Sequence, residues 1–316
     1  MIRIAVWAHD LSDSYLRKVT QLGADCIDGI QVPMEPGKGY FDLDELLKIR
    51  KKIRSWGLDL NRISLPLLSE KFMKDQEGAE EELDNCCKSL QVLGEAGAPL
   101  ARVHFANDTF PWMNKRYEAV HRGGYRQRGE SLALAEDKSP PPPLEELEFW
   151  WQRLCIAYEK LVPVAEEYGP KLMMHPSDTP NADAPLGGLG FHRIIDAFPS
   201  RCVGYLYCCG TRAEAGGSAL VLDEIHNYGR KGRLFEIHFR NVRGSLATAG
   251  GFEEVLLDDG DMNMFKIVLE LRRVGFHGCV NPDHYPRLEG DGPDQGQALA
   301  YSVGYIKALL AAVVVV

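Results

Sequence analysis

The amino-acid sequence predicts one (β/α)8 barrel domain, and three observations support this fold class. The chain has 316 residues, which is more than a small domain needs but matches a single large α/β barrel. Short β-rich runs alternate with longer amphipathic runs from one end to the other. Eight such units can be counted, and eight strands each followed by a helix make this barrel. A doubly wound open sheet would show a similar alternation of strands and helices and remains an alternative fold.

The eight predicted strands are short runs in which apolar residues predominate. In chain order they are Arg3 to Ala8, Cys26 to Gln31, Leu60 to Ser64, Ala101 to Phe105, Lys171 to His175, Val203 to Cys208, Leu234 to Phe239 and Cys279 to Asp283. The predicted helices carry apolar residues at three- and four-residue spacing. They are Asp13 to Leu22, Leu43 to Trp56, Glu77 to Ala96, Leu144 to Tyr168, Ser218 to Tyr228, Met262 to Val274, Gln295 to Leu310 and a shorter one around Phe191 to Phe198.

Three long segments interrupt the alternation, and because each follows a strand we expect all three at one rim of the barrel. The longest is Asn107 to Pro143, whose aromatic and arginine-rich front half is expected to face the substrate. Its back half, Glu130 to Pro143, ends in four prolines and is expected to be a mobile surface linker. The other two are Pro176 to Gly190 and Val242 to Gly260, and Val313 to Val316 is expected to be a tail.

Composition indicates an ordinary soluble globular protein rather than a nucleic-acid or membrane protein. Lys and Arg total 36 against 45 Asp and Glu, a net charge of −9 that provides no general cationic surface for nucleic acid. No apolar run approaches the about 20 residues of a membrane helix. Met1 to Val6 resembles a strand rather than a signal peptide, and the eight cysteines form no regular disulfide framework. We therefore expect a cytoplasmic protein, and the oligomeric state stays open.

Four residues with side chains that bind metals stand at the ends of the last four predicted strands. They are His175, Cys208, His238 and Asp283. Active sites of these barrels lie at the carboxyl ends of the strands, so the four side chains are expected to converge. Two imidazoles, a thiolate and a carboxylate suit Mn²⁺, Fe²⁺, Co²⁺, Ni²⁺ or Zn²⁺. Any one of them alone is more often structural, and Cys209 points to the opposite face of its strand, so it is expected to be structural.

These segments resemble the mannonate dehydratase family, metal-dependent sugar-acid lyases with a xylose-isomerase-like barrel. The resemblance covers about Lys171 to Leu310. It rests on His175-Pro176-Ser177-Asp178-Thr179-Pro180, Tyr207-Cys208-Cys209-Gly210, His238-Phe239-Arg240-Asn241-Val242, Pro282-Asp283-His284 and Tyr301-Ser302 followed by Gly304 and Lys307-Ala308-Leu309. The resemblance implies that the four strand-end residues bind the metal, which in that family is usually manganese.

The resemblance also implies an acid/base pair, His284 and Tyr301. Dehydration of a 2,3-dihydroxy acid removes the proton on C2 and protonates the departing hydroxyl on C3. The sequence does not say which residue is the acid and which the base. His284 could instead orient a metal ligand, and Tyr301 could simply pack on the last helix.

Five further residues are candidates for substrate binding. Arg240 and Asn241 follow a predicted metal ligand, where a guanidinium suits capture of a carboxylate, although a salt bridge closing the barrel top is an equal alternative. Asp178 is expected to orient His175 or to bind a sugar hydroxyl. His104 ends the fourth predicted strand, where a hydrogen-bonded structural histidine is favoured over a substrate contact. Arg122 lies in the arginine-rich part of the first rim segment.

The function that we predict is dehydration of D-mannonate, or a close aldonate, to a 2-keto-3-deoxy acid. The rival enzyme is a sugar isomerase or epimerase that uses the same metal-stabilised enediolate chemistry. A third hypothesis is a sugar-acid binding protein that kept the metal site but lost turnover. A doubly wound cofactor enzyme is the fourth, and the absence of a clear Gly-x-Gly-x-x-Gly after the first strand counts against it.

Overall fold

Eight parallel strands close into a barrel, which confirms the predicted (β/α)8 class. The computed structural model describes residues 1–106, 114–136, 140, 142–177 and 188–314. The barrel strands are β1 (Arg3–Trp7), β2 (Cys26–Asp28), β3 (Asp59–Ser64), β4 (Leu100–Arg102), β7 (Lys171–Met174), β8 (Val203–Cys208), β9 (Leu234–His238) and β12 (Cys279–Asn281). Each strand pairs with its neighbours in chain order, and β12 closes the ring on β1.

Eight helices follow the barrel strands, and each overlaps a predicted helix, although α7 begins nine residues before the predicted start at Ser218. They are α1 (Asp13–Leu22), α2 (Leu43–Ser55), α4 (Ala79–Glu95), α5 (Leu144–Tyr168), α6 (Gly188–Ala197), α7 (Cys209–Arg230), α9 (Met264–Arg273) and α10 (Gly296–Val314), with short helices α3 (Glu70–Met73) and α8 (Leu246–Ala249) between them. Side-chain caps set some boundaries. The Ser12 side chain accepts a hydrogen bond from the Tyr15 amide at the start of α1, and the Asp42 side chain accepts one from the Glu45 amide at the start of α2.

The barrel interior beneath the strand ends is polar and hydrogen-bonded. Arg62 donates from Nε to Glu236 Oε2 over 2.9 Å. Asn61 and Asn281 donate to the two carboxylate oxygens of Asp28 over 2.8 and 2.6 Å. All five side chains are buried, and these hydrogen bonds offset part of the cost of burying their polar groups. This network forms a polar floor below the carboxyl ends of β9 and β12.

A second, antiparallel sheet lies at the mouth of the barrel. Its strands are β5 (Lys115–Val120), β6 (Arg126–Ser131), β10 (Asn241–Ser245) and β11 (Gly251–Val255), in the order β10-β11-β6-β5. Because β10 begins three residues after β9 ends, the sheet is tied to the carboxyl end of the barrel. We call these four strands the mouth sheet.

The mouth sheet corrects two expectations for the rim segments. Residues 114–131 and 241–255 are paired strands and short turns rather than loops, and the two segments join through β6 and β11. Glu130, assigned to a mobile surface linker, lies in β6 and is only 2% exposed. The prediction failed because these strands alternate charged residues that form ion pairs, so they carry no apolar periodicity. Residues 107–113, 137–139, 141 and 178–187 lie outside the described residues.

The C-terminal end also differs from expectation. α10 continues through Val314, and Val313 is buried, so these two residues are helix rather than tail. By length and composition α10 could span a membrane, contrary to the sequence expectation, because isolated polar residues lower its mean hydropathy only slightly. In the structure it packs against α9 and α1 as the last helix of the barrel.

Candidate metal centre and active site

Three candidate ligands meet at the carboxyl ends of adjacent strands. His175 directly follows β7, Cys208 ends β8 and His238 ends β9. Their nitrogen and sulfur ligand atoms all lie within 4.8 Å of one another, and all three residues are buried. Cys208 and His238 are register partners, and the two imidazole centroids are 5.1 Å apart. The parallel pairing of β7, β8 and β9 therefore produces a compact set of donors.

Asp283 lies beside this set in a strained backbone conformation. Its Oδ1 is 3.2 Å from His238 Nδ1. Its φ of 58° is left-handed, which is rare for a residue with a side chain and persists where surrounding contacts impose it. One such contact is its amide, which donates to Asn281 Oδ1 over 2.8 Å. The polar floor of the barrel thus holds the Asp283 carboxylate beside His238, outside the group of three whose ligand atoms lie within 4.8 Å of one another.

The electrostatics of the four groups suit a bound cation. Burial lowers the pKa of His238, which keeps its imidazole neutral. Burial raises the pKa of the Cys208 thiol to about 11, so a thiolate here needs a nearby positive charge. Burial alone would raise the pKa of Asp283, but two imidazoles and the Arg240 guanidinium hold it well below its usual range. The donor set is the one a divalent transition ion prefers.

Two local contacts fix the Cys208 sulfur. Its Sγ accepts hydrogen bonds from the amide and the hydroxyl of Thr211, over 3.4 and 3.2 Å, at the N-terminus of α7. A helix N-terminus favours negative charge on such a sulfur. Gly210 is required nearby, because a Cβ there would lie 2.4 Å from the Cζ of Arg240. Cys209 is buried in the apolar core, as expected of a structural residue.

Arg240 lies inside the protein rather than at the rim. Only 1% of the residue is exposed. Its guanidinium makes ion pairs with Glu214, with Glu254 at 2.9 Å and with Asp283 at 3.1 Å. A guanidinium with three carboxylate partners has little capacity left for a fourth. Of the two roles considered for Arg240, its contacts favour the salt bridge over capture of a substrate carboxylate.

The other predicted substrate contacts are dispersed. Asn241 is buried and donates to the Leu257 and Met262 carbonyls, so it holds the segment after β11. Arg122 makes a two-bond ion pair with Asp258. The backbone carbonyl of His104 accepts a hydrogen bond from the Leu68 amide. Asp178 lies outside the described residues.

His284 faces a cavity of about 470 Å³ beside the ligand set. Its Nδ1 is 2.7 Å from Glu254 Oε1, and its Nε2 is 3.8 Å from Asp283 Oδ2. Asp283 raises its pKa above the ordinary value, and Glu254 adds to the shift. The cavity is lined by Trp7, His9, Arg116, Gln127, Arg128, Glu254, Asp283, His284, Tyr285 and Gln295. Barrel strand ends and the mouth sheet therefore form opposite walls of one cavity.

Tyr301 does not share this cavity with His284. It lies on α10, stacks on Tyr305 and interacts with Asp258, whose hydrogen bond adds to the effect of burial in raising the pKa of Tyr301 to about 12. The tyrosine in the cavity is Tyr285, whose hydroxyl is 3.0 Å from His9 Nε2. Sequence position could have identified both as site residues, since His9 follows the first predicted strand and Tyr285 follows His284.

A larger cavity, of about 1080 Å³, lies above the first and is lined mainly by the β5–β6 hairpin. The two cavities share Arg116, Gln127, Arg128 and Gln295. Sequence reasoning singled out the arginine-rich hairpin as a substrate-facing segment but did not select Arg116 or Arg128. No sequence pattern identified Glu254 as a site residue, because its role depends on strand pairing between distant segments.

Comparisons with known proteins show a family and a fold for this chain. A family model described as D-mannonate dehydratase (UxuA) matches residues 144–315, more than half of the chain. Mannonate dehydratase 2 from Halalkalibacterium halodurans is 22% identical over 294 residues, covering 83% of this chain and 84% of that protein. The crystal structure of mannonate dehydratase from Streptococcus suis serotype 2 superposes with a TM-score of 0.81 and 20% identity, covering 99% of this chain and 95% of that chain. A xylose isomerase domain protein from Alicyclobacillus acidocaldarius superposes with a TM-score of 0.63 and 16% identity over 99% of both chains.

Proposed function

The chain belongs to the D-mannonate dehydratase family, and we propose that it is a metal-dependent hydro-lyase acting on D-mannonate or a closely related aldonate. The products would be 2-keto-3-deoxy-gluconate and water. Family membership favours this reaction over the isomerase or epimerase that the sequence left open. All eight cysteines are free thiols, which supports a reducing compartment, and we propose the cytoplasm.

The observation that carries the proposal is the convergence of donors at the strand ends. His175, Cys208 and His238 place three ligand atoms within 4.8 Å of one another, and Asp283 stands 3.2 Å from His238. No described residue makes a hydrogen bond of good geometry to either ring nitrogen of His238, although both are buried. Asp283 Oδ1 nevertheless lies 3.2 Å from Nδ1, and an imidazole that keeps one buried nitrogen free of hydrogen bonds can offer it to a metal ion.

These four residues would hold one divalent ion. Such an ion supplies Lewis acidity, which makes the C2 proton of a 2-hydroxy acid easier to remove. Manganese is the ion to test first, with iron, cobalt, nickel and zinc as alternatives, because mixed nitrogen, sulfur and oxygen donors bind all five.

The reaction requires one base and one acid. The C2–H bond breaks and its proton goes to the base. The C3–O bond breaks and the hydroxyl, with a proton from the acid, leaves as water. The resulting enol then tautomerises to the 2-keto acid. Both proton-transfer groups must face the same cavity as the substrate.

His284 and Tyr285 meet that requirement in this structure. The Glu254 carboxylate accepts a hydrogen bond from His284 Nδ1, so when the ring is neutral Nε2 is unprotonated and available as a base. Because Asp283 and Glu254 raise the pKa of His284, activity through this base should increase as the pH rises through that raised pKa. Tyr285 carries a phenol that is protonated at neutral pH, and His9 orients it through a 3.0 Å hydrogen bond. We therefore assign the base to His284 and the acid to Tyr285, in place of Tyr301.

The test is to load metal-stripped protein with Mn²⁺ and offer D-mannonate beside a panel of aldonates and neutral sugars. We expect a product that has lost one water from an aldonate, and no product in the presence of a chelator. An isomer of unchanged mass from a neutral sugar would establish the isomerase instead. Bound aldonate without any product would establish a binding protein.

A further inference from the structure

We propose that Arg116, on strand β5 of the mouth sheet, binds the carboxylate of the sugar acid. The inference rests on the proposed function and names the residue that selects acids over neutral sugars. It replaces Arg240, whose buried guanidinium already pairs with three carboxylates and donates to the Thr211 hydroxyl.

The other arginines around the two cavities are already paired or lie away from the candidate ligands. Arg122 is held by two hydrogen bonds to Asp258. Arg126 pairs with Glu118, and Arg287 lines only the larger cavity. Arg128 is largely buried, and its guanidinium contacts three carboxylates, those of Glu130, Glu214 and Glu254.

Arg116 differs from these arginines in its exposure and in its contacts. It lines the same cavity as Asp283 and His284, and its side chain is 64% exposed. Only its Nε is engaged, donating to Glu130 Oε1 over 2.7 Å. Within the part of the chain that the structure describes, no side chain bonds its two terminal nitrogens. Those nitrogens form the edge of a guanidinium that binds a carboxylate through two parallel hydrogen bonds.

The partner of Arg116 is itself fixed, which orients the guanidinium in advance. Glu130 is 2% exposed, accepts a hydrogen bond from Asn114 over 3.2 Å and lies 3.4 Å from Arg128. A buried, braced carboxylate therefore holds one edge of Arg116, a residue that lines the cavity, and leaves its terminal nitrogens without a side-chain partner among the described residues. Preorganisation of this kind lowers the entropic cost of binding the substrate.

The experiment compares Arg116→Gln and Arg116→Lys with Arg126→Gln, a matched control from the adjacent strand. For D-mannonate we expect KM to rise about ten- to hundredfold in Arg116→Gln, less in Arg116→Lys, and not at all in Arg126→Gln. Inhibition by the neutral D-mannonamide should be the same in Arg116→Gln as in the wild type. An unchanged KM in Arg116→Gln, or an equal loss of affinity for the amide, would overturn the assignment.

Direct binding separates this inference from the proposed function. Trp7 lines the cavity, so a titration of tryptophan fluorescence with D-mannonate reports binding without turnover. Binding by the wild type that Arg116→Gln loses, with no dehydration by either, would support Arg116 and contradict the lyase. Dehydration by both proteins with equal KM would support the lyase and overturn the role of Arg116.

Discussion

The strand ends of the barrel and the mouth sheet differ in how their polar and charged side chains are arranged. At the strand ends, His175, Cys208 and His238 are buried with their donor atoms converging. In the mouth sheet, charged side chains pair across strands and some stay exposed, as Arg116 does while its partner Glu130 is buried. The buried set can hold an ion away from water, whereas the exposed Arg116 is where we propose that the substrate carboxylate binds. The comparison suggests that the barrel supplies the chemistry and the sheet supplies recognition.

The two regions are joined by Glu254. This residue belongs to β11 of the mouth sheet, yet it is buried and contacts His284, Arg240 and Arg128. Burial alone would raise its pKa, but the two guanidiniums and the imidazole lower it further than burial raises it, so it stays ionised. Loss of this one carboxylate should therefore affect both regions.

The largest effect is expected from replacing one of the buried candidate metal ligands. Cys208→Ser should lose bound metal and reduce activity more than about a hundredfold, because a hydroxyl is a poor substitute for a thiolate ligand. Elemental analysis and turnover measure the two quantities. Cys209→Ser is the matched control, since its sulfur lies in the apolar core next in sequence. Equal metal content in the two variants would remove Cys208 from the ligand set.

The next largest effect distinguishes residues that line the cavity from Tyr301 on α10. His284→Gln should keep its metal and lose about 10²- to 10⁴-fold in kcat, the range for removal of a general acid or base. Tyr285→Phe should lose kcat in the same direction. Tyr301→Phe should stay near wild type, because Tyr301 interacts with Asp258 rather than with the cavity. An inactive Tyr301→Phe beside an active Tyr285→Phe would restore the assignment made from the sequence.

The smallest effect concerns the link between the regions. Glu254→Gln should destabilise the fold by about 3 kcal/mol, since it leaves Arg240 and Arg128 short of a buried partner. It should also lower kcat, because His284 loses the carboxylate that orients it. Glu253→Gln, on the opposite face of β11, should change stability by less than about 1 kcal/mol. Denaturant unfolding and steady-state kinetics measure these effects, and equal destabilisation by both variants would contradict a linking role for Glu254.

The barrel and its strand-end set were accessible from sequence because both depend on local pattern. The alternation of strands and helices gave the fold, and the fold then placed His175, Cys208, His238 and Asp283 together without any fixed spacing between them. The structure brings the first three within 4.8 Å and puts Asp283 beside His238. Their binding of a metal stays a prediction.

The rest of the site could not be predicted because it depends on contacts between distant segments, which no local sequence pattern indicates. Arg240 was expected at the rim because it follows a strand end, but Glu214 on α7 and Glu254 on β11 draw it inward. Strands β5 and β6 are stabilised by charge pairs rather than by an apolar face, so hydrophobic periodicity missed them. Tyr301 was selected by motif, whereas the cavity contains Tyr285, which motif reasoning passed over.

The most direct test of the account is a titration of metal-stripped protein with Mn²⁺ while formation of 2-keto-3-deoxy acid from D-mannonate is followed. The account predicts that activity rises in proportion to bound Mn²⁺ and reaches a plateau at one ion per chain. Full occupancy of the site without any dehydration of D-mannonate or related aldonates would contradict it.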